Sequence, residues 1–146
     1  MRDFEPKFTT VSTFMEAADQ INRPHEDYPD RVQRTFDMIE NLQTSDFDYF
    51  LIRQIHSYVM HDMEPSMRGV VRSIQVTVNG QPTPEPWEIP QLLEAILPVT
   101  EETDIKDWYR RFQLIYPFAD GNGRVGGIIL SIHSYVTTKE ILAPLQ

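Results

Sequence analysis

Residues 116–124 read YPFADGNGR, and this stretch ends one segment of apolar helical periodicity and begins the next. Its two glycines, Gly121 and Gly123, allow backbone conformations that other residues rarely adopt. Successive N–H groups can therefore converge on an anion at the start of the following helix. The stretch indicates a phosphate-binding turn between two helices, although a turn that only initiates a helix has the same composition.

Three polar side chains lie beside these glycines. Asn122 is a good N-cap residue and can also donate to a phosphate oxygen. Arg124 adds a planar, permanently charged group, and Asp120 offers the hard oxygen ligand that phosphate-bound magnesium prefers. An acidic residue is also favoured before any helix, because it interacts well with the helix dipole. The chemistry of the stretch is that of an anion site, with helix initiation as the alternative.

The stretch resembles the signature of the Fic family, His-Pro-Phe-x-[Asp/Glu]-Gly-Asn-Gly-Arg-x-x-Arg, whose members mostly transfer AMP from ATP to a protein hydroxyl. Residues 117–124 match every defined position, whereas Tyr116 replaces the leading His and Gly127 replaces the closing Arg. We refer to residues 116–127 as the signature segment. The resemblance extends over residues 45–136. It implies an all-α, mainly helical bundle with a small β-hairpin flap and a central helix–loop–helix.

The resemblance also implies a role for each residue of the signature segment. Asp120 would bind Mg²⁺, and Tyr116 would stand at the position of the general base. The phosphates of ATP would be held by four residues: Gly121, Asn122, Gly123 and Arg124. ATP and Mg²⁺ are therefore the expected ligands.

The two departures from the signature predict impaired AMP transfer. A free phenol has a pKa near 10, so about one in a thousand is ionised at pH 7, where neutral imidazole is abundant. Tyr116 should therefore be a poor base. With Gly127 in place of an arginine, one contact to phosphate is missing as well, although a glycine here also permits close helix packing.

Two other functions remain open from the sequence. The chain could be a protein-interaction module without chemistry, such as an antitoxin-like or decoy protein. Alternatively, Tyr116 could be an inactivating His-to-Tyr change in an active transferase, since one base transition converts His to Tyr. Whether the chain is an enzyme is thus not decided by the sequence.

Residues Gly69 to Pro86 predict a small exposed hairpin. Ile74, Val76 and Val78 alternate with polar residues, and Asn79-Gly80 follows as a hairpin turn. By resemblance this is the family's flap, where a target protein docks by strand addition. A purely structural β-excursion is the alternative.

Helical periodicity occupies most of the remaining chain. Residues 1–28 form a loosely patterned leader with one short helix, and a capping-box pattern at 137–140 suggests a terminal turn. The predicted helices span residues 13–21, 30–43, 45–61, 90–97, 104–115 and, past the signature segment, as far as Val136. The last of these should be central, because its apolar positions are so numerous.

Length and composition set the remaining expectations. At 146 residues the chain is expected to form a single domain over residues 1–146. Without cysteine, disulfides and thiolate metal sites are excluded. The net charge of −9 argues against binding a nucleic-acid polymer, and no apolar run approaches the length of a membrane span. We expect a cytoplasmic protein of bacterial or phage origin whose partner is a protein docked at the hairpin.

Overall fold

The computed structural model describes residues 8–11, 47–61, 63–138 and 140–144. The predicted helices at 13–21 and 30–43 lie outside these residues. The described helices are α1 (Tyr49–Val59), α2 (Ile89–Ile96), α3 (Ile105–Ile115) and α4 (Asn122–Thr138). The described strands are β1 (Phe8–Val11), β2 (Thr77–Val78), β3 (Gln81–Pro82) and β4 (Ile141–Pro144). The mainly helical fold that the sequence predicts is confirmed.

Helix α4 lies at the centre of the described fold. Its residues from Val125 to Ser134 are all buried, and it packs against α3, α1 and β4. A helix that is apolar on most of its circumference has to be surrounded in this way. The stripe predicted for α3 is buried against it: Ile105, Trp108, Phe112 and Ile115.

Helix α1 begins where the Asp48 side chain caps it by accepting a hydrogen bond from the Leu51 N–H at 2.7 Å. Its buried face consists of Leu51, Ile52, Ile55, His56 and Val59. Tyr58, on the same helix, is 44 % exposed. At 3.6 residues per turn, Tyr58 lies at the edge of the face and His56 lies within it.

The hairpin is shorter than the alternating pattern predicts. Asn79 and Gly80 form the turn, with φ of 52° and 75°, and pair Val78 with Gln81. The ladder ends at the next pair, Thr77 opposite Pro82, because Pro82 and Pro84 have no N–H to donate. Beyond this pair, side chains also join the two legs of the hairpin. The Thr83 hydroxyl donates to the Val76 carbonyl at 2.7 Å, and the Gln75 amide donates to the Thr83 carbonyl at 2.6 Å.

The two ends of the described chain pair with each other, which the sequence did not predict. β1 and β4 are antiparallel, with Phe8 opposite Pro144 and Val11 opposite Ile141. Within the leader expected over residues 1–28, residues 8–11 form a strand, and where a terminal turn was expected, α4 continues to Thr138 and β4 begins at Ile141. β4 is attached to α4, because the Ser131 hydroxyl donates to the Leu142 carbonyl at 2.8 Å. No helix in the described ranges is long and apolar enough to cross a membrane.

Candidate functional site

The signature segment begins where α3 ends. Tyr116 is the C-cap residue, and its N–H donates to the Phe112 carbonyl at 3.1 Å. Its φ of 53° is left-handed, a conformation that terminates helices but is uncommon for a residue with a large side chain. Pro117 follows and cannot continue the helix. The chain therefore reverses at Tyr116 and returns along α4.

A buried ring of hydrogen bonds closes the connecting loop, residues 116–121. The Asn122 side chain accepts from the Phe118 N–H at 2.9 Å and donates to the Phe118 carbonyl at 2.8 Å. Asn122 is only 2 % exposed, and Phe118 is fully buried. The amide of Asn122 is thus committed to the loop, which leaves its main-chain N–H for the predicted contact with phosphate.

The two glycines of this segment, Gly121 and Gly123, lie in different surroundings. Gly121 has a φ of 85°, a left-handed conformation that favours glycine, and a Cβ there would lie 2.6 Å from the sulfur of the flexible Met60 side chain. A Cβ at Gly123 would meet no atom within 4 Å. Within the described residues, no hydrogen bond uses the N–H of Asn122 or of Gly123, both in the first turn of α4. Open space and two available donors lie together at the start of this helix.

The charged residues of the signature segment flank this space in sequence. The Asp120 carboxylate is exposed and accepts from the Gly121 N–H at 2.8 Å. An Nη of Arg124 lies 3.4 Å from the Met60 sulfur. The described residues contain no cluster of three His, Cys, Asp or Glu side chains that could cage a metal. A phosphate-bound Mg²⁺ uses only one or two carboxylates, so Asp120 fits that kind of site.

Arg72 ties the hairpin to the connecting loop, and the sequence analysis missed it. This side chain is 4 % exposed, although the residues around it in the chain read as a strand. Its guanidinium donates to four main-chain carbonyls: Tyr116 at 2.6 Å, Pro84 at 2.7 Å, Ile74 at 2.9 Å and Ile115 at 3.4 Å. Burial lowers the pKa of Arg72, and electrostatic interactions with the Tyr116 and Glu85 side chains partly oppose that shift. An arginine within an apolar alternation was the available signal.

His56 is the second residue that sequence reasoning missed. Its Nδ1 accepts from the Gly69 N–H at 2.8 Å, so Nε2 carries the proton and donates to the Asp120 carbonyl at 3.0 Å. The ring also stacks on Phe118, with 3.9 Å between centroids. The position of His56 on the apolar face of α1, one turn from Ile52, was the signal for a buried role.

His56 makes the stability of the protein depend on pH. Burial lowers the pKa of His56, while the hydrogen bond to Asp120 and the Asp120 charge partly oppose this. An unfolded histidine takes up a proton near pH 6.5, so below that pH the unfolded state binds more protons. The stabilisation is complete above pH 6.5 and is lost as the pH falls through the lower folded pKa.

We therefore expect the free energy of unfolding, measured by urea denaturation without Mg²⁺, to decrease from pH 7.5 to pH 5. In His56→Gln the slope should be flatter, by up to about 1.4 kcal/mol per pH unit for one proton. Equal slopes in the two proteins would contradict this assignment.

The structure places the remaining predicted residues around the signature segment. Ile74 is 59 % exposed, and Val76 and Val78 are half-buried, so the hairpin presents apolar side chains next to the loop that Arg72 holds. Gly127 is buried within α4. His133 lies further along α4 and bonds to the Thr100 carbonyl at 2.7 Å, which is remote from the base position at Tyr116.

Comparison with known proteins agrees with this architecture. The crystal structure of a Fic family protein from Desulfovibrio desulfuricans G20 is similar, with a TM-score of 0.55 and 20 % identity. The match covers 85 % of this chain and 43 % of that protein, so this chain spans less than half of its length. At this identity the likeness shows the fold alone. No match was found among curated proteins.

The sequence profile of the Fic/DOC family matches residues 46–133, which include α1, the hairpin, α2, α3 and most of α4. That match covers more than half of the chain and contains Arg72, His56 and all but the final positions of α4. The chain therefore belongs to the Fic/DOC family.

Proposed function

We propose that residues Asp120 to Arg124 bind the phosphates of ATP together with Mg²⁺, and that the chain transfers AMP to a protein hydroxyl only weakly. The observation that carries this proposal is the start of α4, where open space at Gly123 adjoins two N–H groups without partners in the described structure. A helix N-terminus with these properties favours an anion. Arg124 and Asp120 supply the cation and the carboxylate that nucleotide phosphates and Mg²⁺ require.

The weak step would be removal of a proton. In AMP transfer the hydroxyl oxygen attacks the α-phosphorus, the bond to pyrophosphate breaks, and the hydroxyl proton passes to a base. Tyr116 holds the family's base position at the end of α3, and its own hydroxyl is a poor proton acceptor at pH 7. Bound Mg²⁺ would neutralise phosphate charge. Positioning and charge stabilisation contribute strongly to phosphoryl-type transfers, so a slow reaction is expected.

The nucleotide site can be tested by calorimetric titration with ATP and Mg²⁺. Arg124→Ala should weaken binding by about 10- to 100-fold, the usual effect of losing charge-assisted hydrogen bonds to phosphate. Gly123→Ala should also weaken binding, because its methyl group would occupy the open space at the start of α4. The same methyl group meets no other part of the protein, and alanine loses less backbone entropy than glycine in a helix, so the melting temperature of Gly123→Ala should equal or exceed that of the unchanged protein.

Arg111→Ala is the matched control for Arg124→Ala. Arg111 is an exposed arginine on α3 whose Nε donates to Asp107 at 2.8 Å, away from the signature segment. Its loss should leave ATP affinity unchanged. Absence of binding at millimolar ATP and Mg²⁺ would reject the proposed site.

The exposed apolar side chains near the hairpin favour a second candidate function, protein binding without chemistry. Ile74 is 59 % exposed and Trp87, just before α2, is 75 % exposed. Large apolar side chains at such exposure are typical of interaction surfaces. A partner retained equally well by Asp120→Asn and Arg124→Ala, but lost with Ile74→Ser, would support this second function over nucleotide-dependent action.

A further inference from the structure

One buried guanidinium joins both legs of the hairpin to the connecting loop. Arg72 Nη1 donates to the Ile74 carbonyl on the outgoing leg, and Nη2 donates to the Pro84 carbonyl on the returning leg. Its Nε donates to the Tyr116 carbonyl at 2.6 Å. The Arg72 main-chain N–H adds a bond of 2.9 Å to the Pro117 carbonyl. Arg72 therefore links the two segments directly, in addition to the contact through His56 between Gly69 and Asp120.

We propose that Arg72 is a positioning residue that couples the hairpin to the phosphate-binding end of the loop, so that a strand docked on the hairpin and a nucleotide on the loop strengthen each other's binding. The identity of the two ligands rests on the proposed function. The coupling itself is a property of the unliganded protein.

The chemistry of Arg72 makes this link close to all-or-none. A guanidinium is planar and rigid, so its donors point in fixed directions and cannot follow one segment while keeping the other. The four carbonyls that accept from its guanidinium are neutral, and within the described residues it forms no ion pair. A hairpin that moves away leaves a buried cation with fewer partners, which is costly. The favourable alternative is for both segments to move together.

Movement at Tyr116 would reach the anion site through the closed loop. Tyr116 has a left-handed backbone conformation that is disfavoured for a tyrosine, and Arg72 holds its carbonyl. Loss of that hydrogen bond would therefore let the Tyr116 backbone relax to another conformation. Two residues later, Phe118 forms the double hydrogen bond with Asn122, the first residue of α4. The positions of the N–H groups at the start of α4 therefore depend on the position of the hairpin. By linkage, any effect of a strand on nucleotide affinity is reciprocated.

Hydrogen exchange of the unliganded protein tests the coupling. Thr83→Val removes the hydroxyl bond to the Val76 carbonyl, a bond inside the hairpin in which Arg72 takes no part, although Thr83 directly precedes Pro84. If the segments are coupled, exchange of the Phe118 amide in the loop should rise about fivefold, the effect of one lost hydrogen bond. In the Arg72→Lys background, which should itself raise Phe118 exchange, Thr83→Val should add nothing. Arg110→Lys, at a surface ion pair with Asp107, is the matched control and should leave Phe118 exchange unchanged.

Titration of the same variants with ATP and Mg²⁺ is the second test of the coupling. Thr83→Val should weaken nucleotide binding about fivefold in the unchanged background and not at all in Arg72→Lys. Coupled exchange without any nucleotide binding would uphold the role of Arg72 while rejecting the proposed function. Faster exchange confined to the hairpin, with Phe118 unaffected by Thr83→Val, would overturn the inference. If Arg72→Lys does not fold, the effect of Thr83→Val on Phe118 exchange in the otherwise unchanged protein still tests the coupling.

Discussion

Replacing Tyr116 with His is expected to raise AMP transfer by about 10²- to 10⁴-fold, the range that general-base assistance contributes. Neutral imidazole is abundant at pH 7 and accepts a proton readily, whereas a phenol does not. The substitution should fold without difficulty, because histidine tolerates the left-handed conformation that this position has, with φ of 53°. The measurement is incorporation of label from the α-phosphate of ATP, into the protein itself and into proteins of a cell extract, confirmed by intact mass.

Tyr116→Phe is the control for this gain. It removes the phenol hydroxyl without adding a base, so its transfer rate should stay as low as that of the unchanged protein. Combining Tyr116→His with Arg124→Ala should abolish the gain, because the nucleotide is then held poorly. Labelling by the unchanged protein as strong as by Tyr116→His would show that Tyr116 does not limit the reaction.

Gly127→Arg is a less direct test of the second departure from the signature. Gly127 is buried within α4, so a long cationic side chain there has to displace packed neighbours. We therefore expect Tyr116→His alone to be the more informative variant. The variant that combines Tyr116→His with Gly127→Arg should be compared with Tyr116→His alone, at the same fraction of folded protein.

Replacing Arg72 with Met is expected to lower the free energy of unfolding by about 3 to 5 kcal/mol. Methionine keeps much of the side-chain length and donates no hydrogen bond, so four main-chain carbonyls, three of them in part-buried hydrogen bonds and one in a buried bond, lose a partner. Since domains of this size are stable by only about 5–15 kcal/mol, the variant should be close to unfolded at 37 °C. Urea denaturation followed by circular dichroism measures the change.

Two further variants separate the causes. Arg72→Lys retains the charge but not the planar donor group, so it should be destabilised by less than Arg72→Met. Arg111→Met removes an exposed arginine from α3 and should change stability by no more than about 0.5 kcal/mol. A loss of stability in Arg72→Met as small as in Arg111→Met would refute the structural importance of the buried guanidinium.

Much of the fold could be predicted because it depends on local patterns. The stripe Ile105, Trp108, Phe112 and Ile115 specified α3, and the Asn79-Gly80 pair specified the hairpin turn. The pairing of β1 with β4 joins residues more than a hundred positions apart. No local pattern encodes such pairing, since it arises when both segments meet on a common surface.

In the signature segment, too, some features follow from the local sequence and others depend on distant residues. Its sequence by itself determined the family, a helix–loop–helix, and the replacement of a base by Tyr116. Only the tertiary structure decided that the Asn122 side-chain amide closes the loop on Phe118, that Gly121 has a left-handed φ and lies against Met60, and that the space at Gly123 is open. It also brought His56 and Arg72 to the loop from α1 and the hairpin. The physical reason is that buried polar groups must find hydrogen-bond partners, and those partners lie far away in the chain.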